Sequence, residues 1–156
     1  MTDFLEFTKT TKQKLSARFK IRDEDDLLIG SRTYFSFKGL VILSQHFFIK
    51  HQEKVTVTDL KDLFETGFEK AKKINRIPLL RGMQFGYMII PVIVSKNISQ
   101  EVIDYVNSRP RTHFSLFEFP VVYDLATGKV HFYRKTHFWG AFFYSDLREI
   151  VGEMIG

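Results

Sequence analysis

Residues 113 to 144 read HFSLFEFPVVYDLATGKVHFYRKTHFWGAFFY, and this stretch decides the fold class. An apolar alternating run meets a turn signal at Asp124-Leu125-Ala126-Thr127-Gly128, and a second alternating run follows from Lys129. Alternation with period two sends successive side chains to opposite faces of a sheet, so the segment predicts a β-hairpin over 113–135. Glu118, Asp124, Lys129, His131 and His137 fall within it, the one concentration of polar chemistry on an otherwise apolar framework.

Upstream, residues 87–95 form a near-continuous apolar run, the pattern of a central strand buried on both faces. Asn97 or Ser99 caps a short helix over 99–107, which ends before Pro110. Ser145 caps a last helix over 145–155, with Leu147, Ile150, Val151, Met154 and Ile155 as its stripe. The clearest helix spans 58–74. Thr58 is a good N-cap, Asp59 suits the positive end of the dipole, and Gly67 on the apolar face predicts close packing against a sheet.

Residues 27–50 are β-branched and aromatic with Lys38-Gly39 as the only punctuation. Two strands joined there fit best, because glycine tolerates the positive φ of a tight hairpin; a helix over 40–51 is the other option. Residues 1–22 read as a basic amphipathic helix on Phe4, Phe7, Leu15 and Phe19, and Asp23-Glu24-Asp25-Asp26 as a loop. The whole is a mixed α/β domain over 1–156: one central mixed sheet, a C-terminal aromatic hairpin and about four flanking helices.

Composition narrows the chemistry. The 156 residues hold no cysteine, which removes disulfides, zinc–thiolate sites and cysteine nucleophiles. Seventeen Phe against six Tyr and one Trp are first a core-building signal, with some rings available for an interface patch. No secretory pattern opens the chain and no apolar run is long enough to span a bilayer, so a cytoplasmic location without membrane contact is expected. Of the net charge of +5, Lys9, Lys12, Lys14, Arg18, Lys20 and Arg22 stand in the first 22 residues against Asp3 and Glu6. That face would touch nucleic acid or anionic lipid, or be neutralised by the acidic block beside it.

No phosphate-cradling glycine loop, HExxH, GxSxG or EF-hand spacing occurs. No cofactor or metal is implied. Arg76, Arg81, Lys96, Arg109 and Arg111 lie in loops flanking the central strand; converging, they would make an anion site. His131 and Tyr133 share a strand face, and with His113 and Glu118 nearby an imidazole–carboxylate site would assemble. Trp139 and Tyr144 are the expected surface-facing members of the aromatic cluster, where a two-fold dimer would cover them.

The order helix, strand pair, helix, strand resembles the core of the PD-(D/E)xK nucleases. The resemblance implies a carboxylate and an acid-x-Lys element that hold magnesium and activate water. Asp124, ending Pro120-Val121-Val122-Tyr123-Asp124, would be the first acid, Lys135 the lysine and Glu118 a further carboxylate. Tyr133 stands where the motif needs an acid, and Asp124 sits at the end of a hairpin. The reading is therefore a non-catalytic binding or assembly module, expected to pair by symmetry as a homodimer, for an anionic small molecule held by Arg81, Arg109, Arg111, His113, His131 and Tyr133. The alternatives are a divergent metal-dependent nuclease using Glu118, Asp124 and Lys135, and a nucleic-acid-binding protein.

Overall fold

The apolar run after Gln84 becomes the strand around which everything else is arranged. A computed structural model describes residues 3–75, 85–135 and 141–156. Among them the chain forms α1 (Phe4–Ser16), β1 (Lys20–Glu24), β2 (Leu27–Ser36), β3 (Val41–His51), α2 (Val57–Ile74) and β4 (Phe85–Ser95). There follow α3 (Gln100–Asn107), β5 (Thr112–His113), β6 (Leu116–Glu118), β7 (Val121–Asp124), β8 (Lys129–His131) and α4 (Ala141–Met154). Every residue of β4 is buried. It runs parallel to β3 on one side and to β6 and β7 on the other, whereas β1, β2, β5 and β8 add antiparallel partners outside them.

Parallel neighbours need crossovers, and α2 and α3 supply both on one face. There Leu60, Leu63 and Phe64 of α2 and Val102 and Val106 of α3 meet Ile29, Phe48, Ile89 and Val122. On the other face Phe7 and Leu15 of α1 and Leu147, Ile150 and Val151 of α4 cover Phe47, Met88, Ile90 and Phe119. A mixed eight-stranded sheet with four helices results among the described residues.

Several boundaries differ from the sequence reading; the last helix begins at Ala141, so Ser145 lies inside it and does not cap it. The N-terminal helix stops at Ser16, and Arg22 lies on β1, which pairs with β2 through Glu24↔Leu27. The acidic block is thus half strand and half turn, with Asp25 at φ 54°, a conformation aspartate tolerates better than most residues. The N-cap of α2 is Thr56, not Thr58. Its hydroxyl accepts the Asp59 N–H at 3.2 Å while the Asp59 carboxylate accepts the Thr56 N–H at 2.7 Å, a reciprocal box that Thr58 has no residue to complete.

At the β2–β3 turn the strand pair is as expected, and the helical option for 40–51 is not taken. The left-handed residue, however, is Leu40 at φ 50°, not Gly39. Gly39 is there for space: a Cβ would stand 2.5 Å from Cζ of Phe143.

The segment 113–135 is two hairpins, β5–β6 and β7–β8, and not one. Leu116 pairs with Tyr87 and Val121 with Val92, the same offset of 29 residues, so β6 and β7 are one strand line with a break. That offset sets Pro120 opposite Pro91. Proline donates nothing to a ladder, and two facing prolines interrupt the pairing between Glu118 and Val121.

Gly67 packs against the sheet as its position in the stripe predicts: a Cβ would lie 2.6 Å from the ring of Phe48, which is fully buried. Overpacking costs about 1–3 kcal/mol, more than the ~1 kcal/mol that alanine recovers in helix propensity. Gly67→Ala is therefore expected to lower the urea midpoint; an unchanged or raised midpoint would show that the ring can yield.

Candidate functional site

The short hairpin β5–β6 pairs Thr112 with Phe117 and His113 with Leu116, and this register brings Arg111 across from Glu118. The Glu118 side chain is 1% exposed. Its Oε2 accepts from Arg111 Nε at 2.8 Å and its Oε1 from Arg111 Nη2 at 2.8 Å, a bidentate pair. His113 Nε2 lies 2.8 Å from Oε2. Phe64 of α2 backs the group, stacked on His113 at 5.0 Å between ring centroids, with the Arg111 guanidinium 5.4 Å from its centre. The carboxylate's bonds hold the Arg111 pKa above its ordinary value.

The imidazole–carboxylate contact expected from the sequence is thus present, but its members are committed to one another. Arg111 gives its Nε and Nη2 to Glu118 and is not the unpaired loop cation its sequence neighbours suggest. His131 does not join: its partner Val122 is four residues along the strand line from Glu118, roughly 13 Å at strand spacing. Tyr133 is in the core at 6% exposure because β8 ends at His131, so strand alternation no longer sets where it points. Arg109 is exposed. Lys96 follows Ser95 at the carboxyl end of β4, whereas Arg111 stands across from Glu118, which pairs with Ile89 six residues back from Ser95, roughly 20 Å at strand spacing. Arg111 and Lys96 therefore do not converge. Arg81, Arg76, His137 and Trp139 lie outside the described residues.

The nuclease set does not assemble either. Asp124 is six residues from Glu118 on the same strand line, roughly 20 Å away. Its oxygens accept from the Ala126 N–H at 2.8 Å and the Thr127 hydroxyl at 2.7 Å, an ordinary side-chain-closed turn. Lys135 is exposed beyond β8. Among the described residues no three of His, Asp and Glu are placed to hold a metal ion. Tyr144, expected at the surface, is buried at 2% among Phe117, Phe119 and Tyr133, because α4 turns this residue toward the sheet.

The basic N-terminal segment is partly neutralised by its neighbours. Lys12 pairs with Asp23 at 2.7 Å and Arg18 with Glu153 at 2.9 Å, and Lys14 donates to the Gly156 carbonyl. At the carboxyl ends of β3 and β4 a crevice of about 660 Å³ opens between the N-caps of α2 and α3, Thr56 and Ser99. Its charged side chains are Lys54 and Glu101, one of each sign. The Asp59 carboxylate already occupies donors at the start of α2.

Two further features escape the sequence reading. Ser44, Gln45 and His46 are a buried polar triplet inside an apolar strand, and that interruption is the signal that could have found them. His46 has a hydroxyl on each ring nitrogen, Ser44 at 2.6 Å and Ser31 at 2.8 Å, and burial pushes its pKa down to about 4. On the opposite face Gln45 accepts from Arg32 Nε at 2.8 Å.

The second feature is apolar. Among the described residues five large hydrophobic side chains are exposed, and four of them stand at one end of the sheet. Phe35 (47%), Phe37 (83%) and Leu40 (66%) form the tip of β2–β3, and Phe114 (70%) the tip of β5–β6. Beside them runs a groove of about 300 Å³ lined by Val41, Leu43, Phe85, Phe117 and Phe143. Exposed rings are visible in the Phe count, but their position needs the two turns to lie at the same end of the sheet.

The chain matches no protein-family model, no curated protein and no solved structure. No helix among the described residues is long and apolar enough to cross a membrane.

Proposed function

We propose that the chain is an assembly module that pairs with a second copy of itself through the apolar end of its sheet. The observation that supports this is the juxtaposition of a protruding apolar tip, Phe35, Phe37 and Leu40, with an apolar groove behind Phe114 on the same end. A knob and a hole on one surface suit a two-fold contact in which each copy fills the other. The four side chains expose roughly 500 Å² of apolar surface, at the upper end of what a monomer's largest patch presents.

Electrostatics favour a like partner. Lys38, the charge within the tip, is paired with Asp146 of its own chain at 2.6 Å, so two copies meet without unbalanced repulsion. Edge-to-edge pairing is the weaker route, since β1 carries Lys20, Arg22, Asp23 and Glu24 and charged edges resist strand addition. Binding here requires no catalytic group, and the buried Glu118 and His46 are each bonded to side chains of their own chain.

Phe37→Glu tests the reading, because it places a desolvated charge in the contact while leaving the core untouched. Light scattering of the eluting peak is expected to give twice the chain mass for the unmodified protein and the chain mass for the variant. A variant that keeps the dimeric mass would move the contact elsewhere.

A further inference from the structure

Arg32 lies on the face of β2 covered by α1 and α4, where β2 runs past the end of β1 at Lys20↔Ser31. Its Nε–H is held by the Oε1 of fully buried Gln45 at 2.8 Å. The Gln45 amide is fixed in turn by Met88 Sδ at 3.5 Å, and the Tyr34 hydroxyl reaches the same sulfur at 3.7 Å. Two rings cover the guanidinium, with Cζ 4.8 Å from the centre of Phe19 and 4.5 Å from that of Tyr34. The fork is therefore pre-organised before any ligand arrives.

What it lacks is an acid. Among the described residues no carboxylate is within ion-pair distance of Arg32, although Asp146 and Glu153 of α4 act on it from further away. Both are committed to other cations: Glu153 to Arg18 at 2.9 Å and Asp146 to Lys38 at 2.6 Å. Glu149, the exposed acid between them, acts on Lys38. A half-buried guanidinium without a counter-charge is costly, and arginine does not escape by losing its proton. The cost falls when an oxyanion supplies the missing charge, and a planar fork is the geometry that reads one.

We propose that Arg32 is the anchor of an oxyanion-binding site, where a carboxylate or phosphate group docks on its terminal nitrogens beside Phe19 and Tyr34. The site lies on a different face from the Glu118 cluster and involves none of the residues of the apolar end. Its success or failure is independent of self-association.

The test is a proton–nitrogen NMR titration of the full chain with inorganic phosphate and, separately, acetate, against chloride at matched ionic strength. The expected result is a saturable shift of the Arg32 Nε–H and of the amides at Ser31, Arg32 and Phe19 over about 1–50 mM, the range of one charge-assisted contact. The anion with the tighter curve identifies the docking group. Arg32→Gln is expected to weaken the response by about tenfold or more, and Arg32→Lys to fall between, because lysine keeps the charge and loses the fork. The mapping on the unmodified chain stands even where a variant does not fold. Shifts confined to Lys20, Arg22 and Lys73, a linear response with both anions, or an undiminished response in Arg32→Gln would overturn the assignment.

Discussion

Arg111→Met is expected to destabilise the protein by about 2–3 kcal/mol, below the ~3–5 kcal/mol of a fully buried pair because the Arg111 side chain is 38% exposed while that of Glu118 is 1% exposed. Methionine keeps an unbranched apolar stem and removes the guanidinium, including its place 5.4 Å from the Phe64 ring centre, so the loss is electrostatic. Glu118, 1% exposed, is left with only His113 Nε2 of its three donors. The double variant Arg111→Met/Glu118→Leu removes both charges and is expected to recover most of the loss, since an apolar replacement of a buried pair is often neutral. Urea unfolding of the two single variants and the double one gives the coupling energy. Single variants that lose less than about 1 kcal/mol would mean that water reaches the carboxylate and that the cluster is an exposed pair in disguise.

The second large effect is on pH. His46 has its pKa lowered to about 4 by burial, against about 6.5 in the unfolded chain. Between these values the unfolded state binds more protons, so stability rises with pH across that window. The His46 contribution is fully present above about pH 6.5 and is lost as pH falls toward 4, to a total of roughly 3 kcal/mol. Ser31 and Ser44 occupy both ring nitrogens and no acid is among its contacts, so nothing nearby offsets a charged ring. His46→Gln is expected to flatten the slope of unfolding free energy between pH 6.5 and 4. A residual slope of the same sign remains from His131, whose pKa is also lowered by burial, while Glu24 and Asp59, held below 4.5 and 3.8 by their hydrogen bonds, act only at the acid end of the window and below it. A slope unchanged in the variant would contradict the burial argument.

How far the sequence could be read depended on whether a property was local. The apolar run at Tyr87, the turn at Asp124–Gly128 and the stripe of α2 are patterns within a few residues, and each became the element its pattern predicts. Gly67 was legible too, because a glycine on an apolar helix face has a physical reason to be there. Arg111 was not. Its neighbours in sequence describe an open basic loop, and only the Thr112↔Phe117 register shows that Glu118 claims it. The facing prolines at positions 91 and 120 are equally invisible until the offset between two distant strands is known. Gly39 shows a subtler limit: it marked the turn correctly, but the strained φ fell on Leu40, and the glycine's own constraint is Phe143, more than a hundred residues away. Tyr144 reads as amphipathic and surface-facing in its aromatic cluster, yet the pitch of α4 sends it inward.

The apolar end follows the same logic. Seventeen phenylalanines predict a large core and leave open which rings remain outside, since exposure is decided by which turns share an end of the sheet. Self-association through those rings is the central claim, and sedimentation equilibrium of the unmodified chain tests it most directly. Across micromolar concentrations the expected result is a reversible monomer–dimer equilibrium that high salt leaves intact or strengthens, as apolar contact requires. A single species of 18.4 kDa at every concentration and salt would contradict it.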